Sequence, residues 1–220
     1  MNNQRFSADL LFILMICITI IMFQEGAKYM PKWIRLLCLM LVLVGCASNP
    51  VKPDLNVCGF ECEDSDMSEY VSLEGEEHVF LDATFEEAYE MLENETFSGI
   101  IYYGYPACPW CEEAVVEMND AAKSLGLEIY YVNKKSDFNI LHPELEEKTA
   151  LLLDKAYGLS RDEEGKPHLY VPEVVVVKAG KVVDHHMGTF EEHDAHERDL
   201  NEKEKQQLEE IYVQMFKKVK

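Results

Sequence analysis

Basic residues are scarce in this chain. Its 220 residues include 20 Lys and Arg against 41 Asp and Glu, a formal net charge of −21. A general nucleic-acid binder needs a basic patch to neutralise phosphates, so that class is excluded. Long apolar runs are scarce too. The longer of two near the start, Leu10 to Phe23, is fourteen residues interrupted only by Thr19, against the ~20 of a spanning helix. Seven cysteines are too few for a small scaffold held by disulfides alone. With 10% aromatics and abundant β-branched residues, low-complexity disorder is disfavoured. No internal repeat is visible. Hydrophobic residues make up 48%, and a folded part of ~140–150 residues buries about two thirds of its unfolded surface. One ordinary domain plus extras fits these numbers.

The extras lie at the start. The second apolar run, Leu36 to Gly45, follows Lys32 and Arg35 and ends Leu43-Val44-Gly45-Cys46. A basic start, a short apolar stretch and small residues before a cleavage point describe a secretory signal. A cysteine directly after it resembles the lipobox of bacterial lipoproteins. That resemblance implies that Cys46 receives a diacylglycerol and becomes the new N-terminus. Met30-Pro31-Lys32-Trp33 reads as a complete signal-peptide start, so translation is expected to begin at Met30. A genuine first membrane segment in residues 1–29 is the alternative. The first 45 residues hold four basic and two acidic residues, leaving 16 and 39 beyond them and a formal charge of −23. Anionic headgroups repel such a surface, so lipid must supply the tether. Two acyl chains anchor stably where one does not. The expected organisation is a signal or membrane segment over 1–45, a flexible linker over 46–75 with Asn49, Pro50 and Pro53 at its start, and a folded domain over 76–220.

That domain alternates strand and helix. A short strand is predicted over His78 to Leu81. A capping box at Thr84 to Glu87 then opens a helix with Phe85, Ala88, Tyr89 and Leu92 on one stripe. Gly99 to Gly104 reads as a fully buried strand. A helix from about Pro109 runs to a cap at Gly126, and Glu128 to Asn133 is a further strand. Pro143 suits the first turn of a helix ending at Gly158. Strands over Glu173 to Lys178 and Lys181 to Met187 flank the turn Ala179-Gly180. A last helix begins near Asn201. The order β-α-β-α-β-α-β-β-α predicts an α/β domain: a central mixed sheet, a parallel core with helices on both faces, and a C-terminal hairpin plus helix.

The chemistry is carried by Cys108-Pro109-Trp110-Cys111, where a buried strand turns into a helix. Backbone N–H groups and the helix dipole stabilise a thiolate at the first cysteine. Two intervening residues let the second sulfur close a small disulfide. Cys108 is therefore the expected exposed nucleophile and Cys111 the buried resolving thiol, with exchange through a mixed disulfide.

Motif and element order together resemble the thioredoxin superfamily over residues 76–220. The resemblance implies a thioredoxin-like fold, thiol–disulfide oxidoreductase activity and no cofactor beyond the redox-active disulfide. It also implies that Pro172 is a cis-proline facing the cysteine pair, keeping metal from the thiolates, and that Val171 pairs with substrate backbone. Pro109 and Trp110 would lie at the substrate-docking surface, and Gly188 beside Pro172. The sequence is similar, less specifically, to thioredoxin-like lipoproteins of Gram-positive bacteria, including bacteriocin transport accessory proteins. The implied setting is extracytoplasmic, anchored to the membrane, with exported protein or peptide thiols as substrates and a membrane redox partner. The family's best-known reductases carry a buried acid six residues before the first cysteine. Here that position is Tyr102.

Two further features stay open. Cys58 and Cys62 are expected to form a disulfide outside the cell, structural or a second redox relay, or to complete a four-cysteine zinc site with the motif. His185, His186, His193 and His196 cluster among acidic residues. One could lower the Cys108 pKa, and His193 with His196 could share a metal. A solvated polar loop is the plainer reading. A copper- or zinc-binding lipoprotein of the same fold is the alternative function.

Overall fold

The computed structural model describes residues 62–220. The signal segment, Met30, Cys46 and Cys58 lie outside the described residues. Five strands, β1 (Phe80–Ala83), β2 (Gly99–Gly104), β3 (Ile129–Asn133), β4 (Glu173–Lys178) and β5 (Lys181–Met187), form one sheet in the order β1-β3-β2-β4-β5. β1, β3 and β2 are parallel, β4 runs antiparallel to β2, and β5 antiparallel to β4. The helices are α1 (Phe85–Glu93), α2 (Pro109–Leu125), α3 (Asp137–Leu141), α4 (Pro143–Tyr157) and α5 (Glu202–Phe216). The domain is therefore α/β with a mixed sheet, as the element order predicts.

Strand alternation sends successive side chains to opposite faces. Ile100, Tyr102, Tyr131, Val174 and Val176 pack with α2 and α5. Ile101, Tyr103, Tyr130, Val175 and Val177 pack with α1 and α4. Both faces are covered, which is why β2 is buried along its whole length and reads as an unbroken apolar run. Each such side chain stabilises the fold by ~1.5–3 kcal/mol. In register across the first face lie Asp82, Tyr131, Tyr102 and Val174.

Local chemistry sets the boundaries. The capping box closes at Thr84, whose Oγ1 accepts from Glu87 N at 3.2 Å while Glu87 Oε2 accepts from Thr84 N at 2.8 Å. Asn201 and Glu204 make the same reciprocal pair at the start of α5. The β4–β5 turn places both Ala179 (φ 47°) and Gly180 (φ 70°) in the left-handed region, as a two-residue hairpin turn requires. A Cβ on Gly180 would also overlap the backbone of Glu95.

Three departures have physical causes. The first strand starts two residues later than predicted, at Phe80. The short helix α3, capped by Ser136, went unpredicted because five residues carry no usable periodicity. The linker expected over 46–75 does not extend to Gly75. From Cys62 onward the chain packs on the domain: Met67, Tyr70 and Leu73 are buried. Ser65 N donates to Phe80 O at 3.0 Å and Asp82 N to Glu63 O at 2.8 Å. Val71–Leu73 forms a single 3₁₀ turn. Those three apolar residues stand at a spacing of three among acidic neighbours, which masks them in a composition-based reading. Among the described residues no helix is long and apolar enough to cross a membrane.

Candidate redox-active site

β2 delivers the chain to the C-terminal edge of the sheet, where Tyr105 O accepts from Cys108 N at 3.1 Å and turns it into α2. Cys108 is the N-cap of α2 and Pro109 its first helical residue. Proline suits that position because its missing N–H would have no intrahelical partner. The Cys108 sulfur accepts from Cys111 N at 3.4 Å, and Cys108 Sγ lies 3.8 Å from Val171 O. The Cys111 thiol and the Cys111 and Trp110 backbone N–H groups, aided by the Lys134 ammonium, bring the Cys108 pKa down to about 7 against the effect of burial. Cys111 moves the opposite way. Burial, then the sulfur of Cys108, raises its pKa. The pair thus holds one ready thiolate and one protonated thiol, as sequential attack and resolution require.

The expected exposure of Cys108 is corrected: the residue is only 4% exposed, and Cys111 is 0%. The Val171 carbonyl lies against the Cys108 sulfur, and the residue belongs to the apolar cluster between α2 and the sheet. The Val171–Pro172 peptide is cis, and Gly188 N donates to Pro172 O at 2.8 Å. Cys108, Val171, Pro172 and Gly188 are therefore brought together at one edge. Trp110 is held from above: its indole N–H donates to His193 O at 3.2 Å, and its ring meets that of His196 edge-on at 4.9 Å.

The four clustered histidines part company. His185 pairs with the buried Glu173 at 3.1 Å and stacks on Tyr157. His186 engages Thr189 O at 3.0 Å, and burial lowers its pKa. His193 Nε2 lies 2.6 Å from Glu113 Oε2, while His196 faces Trp110. Among the described residues no group of three or more His, Cys, Asp or Glu is placed to hold a metal ion. The expected disulfide of Cys62 with Cys58 lies outside the described residues, as does a zinc site using both.

Some site residues escaped sequence reasoning. Lys134 donates to Leu169 O at 2.5 Å and pairs with Glu146 at 2.7 Å, fixing the approach to Val171. Its place just past β3, at the carboxyl ends of the strands, is where α/β sheets gather functional groups. Glu113 grips the loop over Trp110 through His193 and through Leu200 N at 2.9 Å. Nothing local marks it, because its partners lie eighty and eighty-seven residues away. Behind Cys111, Tyr70 pairs with Tyr102 at 3.0 Å and donates to Tyr131 at 3.2 Å. Compared with known proteins, the sequence matches no family model and no curated protein.

Proposed function

We propose that this protein is a membrane-tethered, extracytoplasmic thiol–disulfide oxidoreductase of thioredoxin-like fold. The carrying observation is the cysteine pair at the start of α2, with one pKa pushed down and the other up, beside the cis Val171–Pro172 peptide. The Cys108 thiolate attacks a substrate disulfide. That S–S bond breaks, one substrate thiolate leaves, and a Cys108–substrate disulfide forms. Cys111 then loses its proton and attacks Cys108 Sγ, releasing the second substrate thiolate. The protein dithiol is oxidised by two electrons and the substrate disulfide reduced. Run in reverse, the same steps donate a disulfide. Val171 and Pro172 would align the substrate backbone, with Trp110 and Pro109 at the docking surface and Gly188 leaving room beside them. The substrates are exported protein or peptide thiols, and a membrane partner resets the pair. The lipid on Cys46 supplies the anchor. The metal-binding alternative gains no observation, since each histidine has its own partner.

The test is exchange with a model disulfide. Cys108→Ser is expected to abolish it, and Cys111→Ser to accumulate mixed disulfide. Full activity in Cys108→Ser would overturn the mechanism. The reduction potential then gives direction: near roughly −120 mV the protein donates disulfides, and near roughly −270 mV it reduces them.

A further inference from the structure

Glu117 on α2 is a carboxylate that folding alone does not account for. It is only 7% exposed, and among the described residues no hydrogen bond or ion pair reaches its oxygens. A buried charge ordinarily carries a partner. The acids beside it on α2 have theirs. Glu112 accepts from Val71 N and Ser72 N, both at 3.1 Å, and from Ser72 Oγ at 2.7 Å. Glu113, one helical turn before Glu117, holds Leu200 N and His193. Lys205 is a cation close at hand, yet its ammonium lies 3.2 Å from Glu202 instead.

Glu117 lines a cleft of about 660 Å³ between α2, the start of α5 and the 3₁₀ turn at Val71–Leu73. Val71, Val116 and Leu200 supply apolar wall, and Glu112, Glu113 and Asp199 add acid at the rim. A volume of this order with apolar walls and a few placed polar groups is that of a ligand site. Anions are repelled from it. A hard metal ion needs six or more oxygens, and among the described residues no group of three ligating side chains is placed to hold one. An aliphatic stem ending in a cation suits both the walls and the acid. A guanidinium sheds its water more readily than an ammonium and meets a carboxylate with two parallel N–H groups. The cleft also adjoins the redox site. Leu200 is one of its walls, and the Glu113 that holds Leu200 N also holds His193, whose carbonyl accepts from the Trp110 indole.

We propose that this cleft receives the arginine side chain of a polypeptide docking beside the redox site, with the guanidinium on Glu117 and the stem against Val71, Val116 and Leu200. The assignment to a polypeptide rests on the thiol–disulfide reading above, whereas the cation site does not. Facing Glu117 are Asp120 on its own helix and Glu202, Lys205, Glu209 and Tyr212 on α5. Burial, then Glu209 and Asp120, push its carboxyl up to about 7. A guanidinium favours the ionised form, so binding below pH 7 releases a proton. Affinity should therefore be about tenfold weaker at pH 6 than at pH 8.

The experiment titrates the full-length chain in detergent solution with the blocked peptide acetyl-Gly-Arg-Gly-amide. The methyl resonances of Val71, Val116 and Leu200 report binding, at about 0.15 M salt to screen the acidic surface at large. Saturation with Kd on the order of 1 mM is expected. Glu117→Gln should weaken it at least about tenfold, the scale of one hydrogen bond to a charged group, and abolish the pH dependence. The citrulline peptide, uncharged but of the same shape, should weaken similarly. Glu90→Gln, which removes an exposed acid on α1, should bind as wild type does. Equal affinity of Glu117→Gln and wild type would overturn the site. So would equal affinity for citrulline, equal loss in Glu90→Gln, a wild-type affinity unchanged between pH 6 and 8, or no saturable shift at all. Methylguanidinium binding as tightly as the peptide would overturn the arginine assignment, because the walls would then contribute nothing. The titration involves no thiol chemistry. Peptide binding by a chain that exchanges no disulfide would count against the thiol–disulfide reading and not against the cation site.

Discussion

Cys111→Ala is the sharpest probe of how Cys108 is activated. With its pKa at about 7, half of Cys108 is thiolate at neutral pH, and the largest cause is the hydrogen bond from the Cys111 thiol. Alanine removes that donor and keeps the backbone N–H. A hydrogen bond to a charged group contributes ~1.5–3 kcal/mol, and one pKa unit corresponds to about 1.36 kcal/mol. Even the lower figure moves the midpoint to about 8 and leaves roughly one tenth of the sulfur ionised at pH 7. Alkylation by iodoacetamide, followed against pH, should then be about fivefold slower at pH 7 and equal to wild type above both midpoints. Cys111→Ser restores an O–H donor and should return the midpoint close to 7. A Cys111→Ala midpoint still at 7 would refute the reasoning, leaving the helix backbone and Lys134 as the source of the thiolate.

Two further outcomes concern the scaffold. Glu117 is nearly buried between α2 and α5, and burial, then Glu209 and Asp120, push its carboxyl up to about 7. A raised acid pKa means the native state binds the extra proton between about pH 4.5 and 7, so stability falls as pH rises through that window. Glu117→Gln should add ~1–2 kcal/mol at pH 8 and almost nothing at pH 4, as read by urea denaturation at the two values. An equal gain at both would assign the effect to packing. Gly104→Ala should cost ~1–3 kcal/mol by overpacking, because Tyr102 is fully buried with nowhere to retreat. A thermal melt unchanged from wild type would contradict that.

Sequence periodicity located every strand and all the long helices because each is amphipathic or largely buried over four or more residues. The hairpin strands over Glu173–Lys178 and Lys181–Met187 match their predicted ends, since a two-residue turn with positive φ leaves no slack. The cysteine pair was legible because its spacing and its strand-to-helix context are both local. What was hidden is nonlocal. Cys108 reads as exposed from its cap position, yet the Val171 carbonyl, 63 residues on, lies against its sulfur. Glu113 and His193 meet across 80 residues, and Tyr70 reaches Tyr131 across 61. Such pairings follow from sheet order, which one sequence constrains only weakly.

The short stretch around Asp64, bridged antiparallel to Leu81, has a consequence for colloidal behaviour. β1 is an outer strand of the sheet, and an unpaired outer strand is a template on which a second chain can assemble. Residues 63–65 occupy that template, and their acidic side chains discourage a newcomer. A fragment trimmed to begin at residue 76 would bare the strand and the apolar seat of Tyr70 together. It would be expected to self-associate in solution, however intact its cysteine pair.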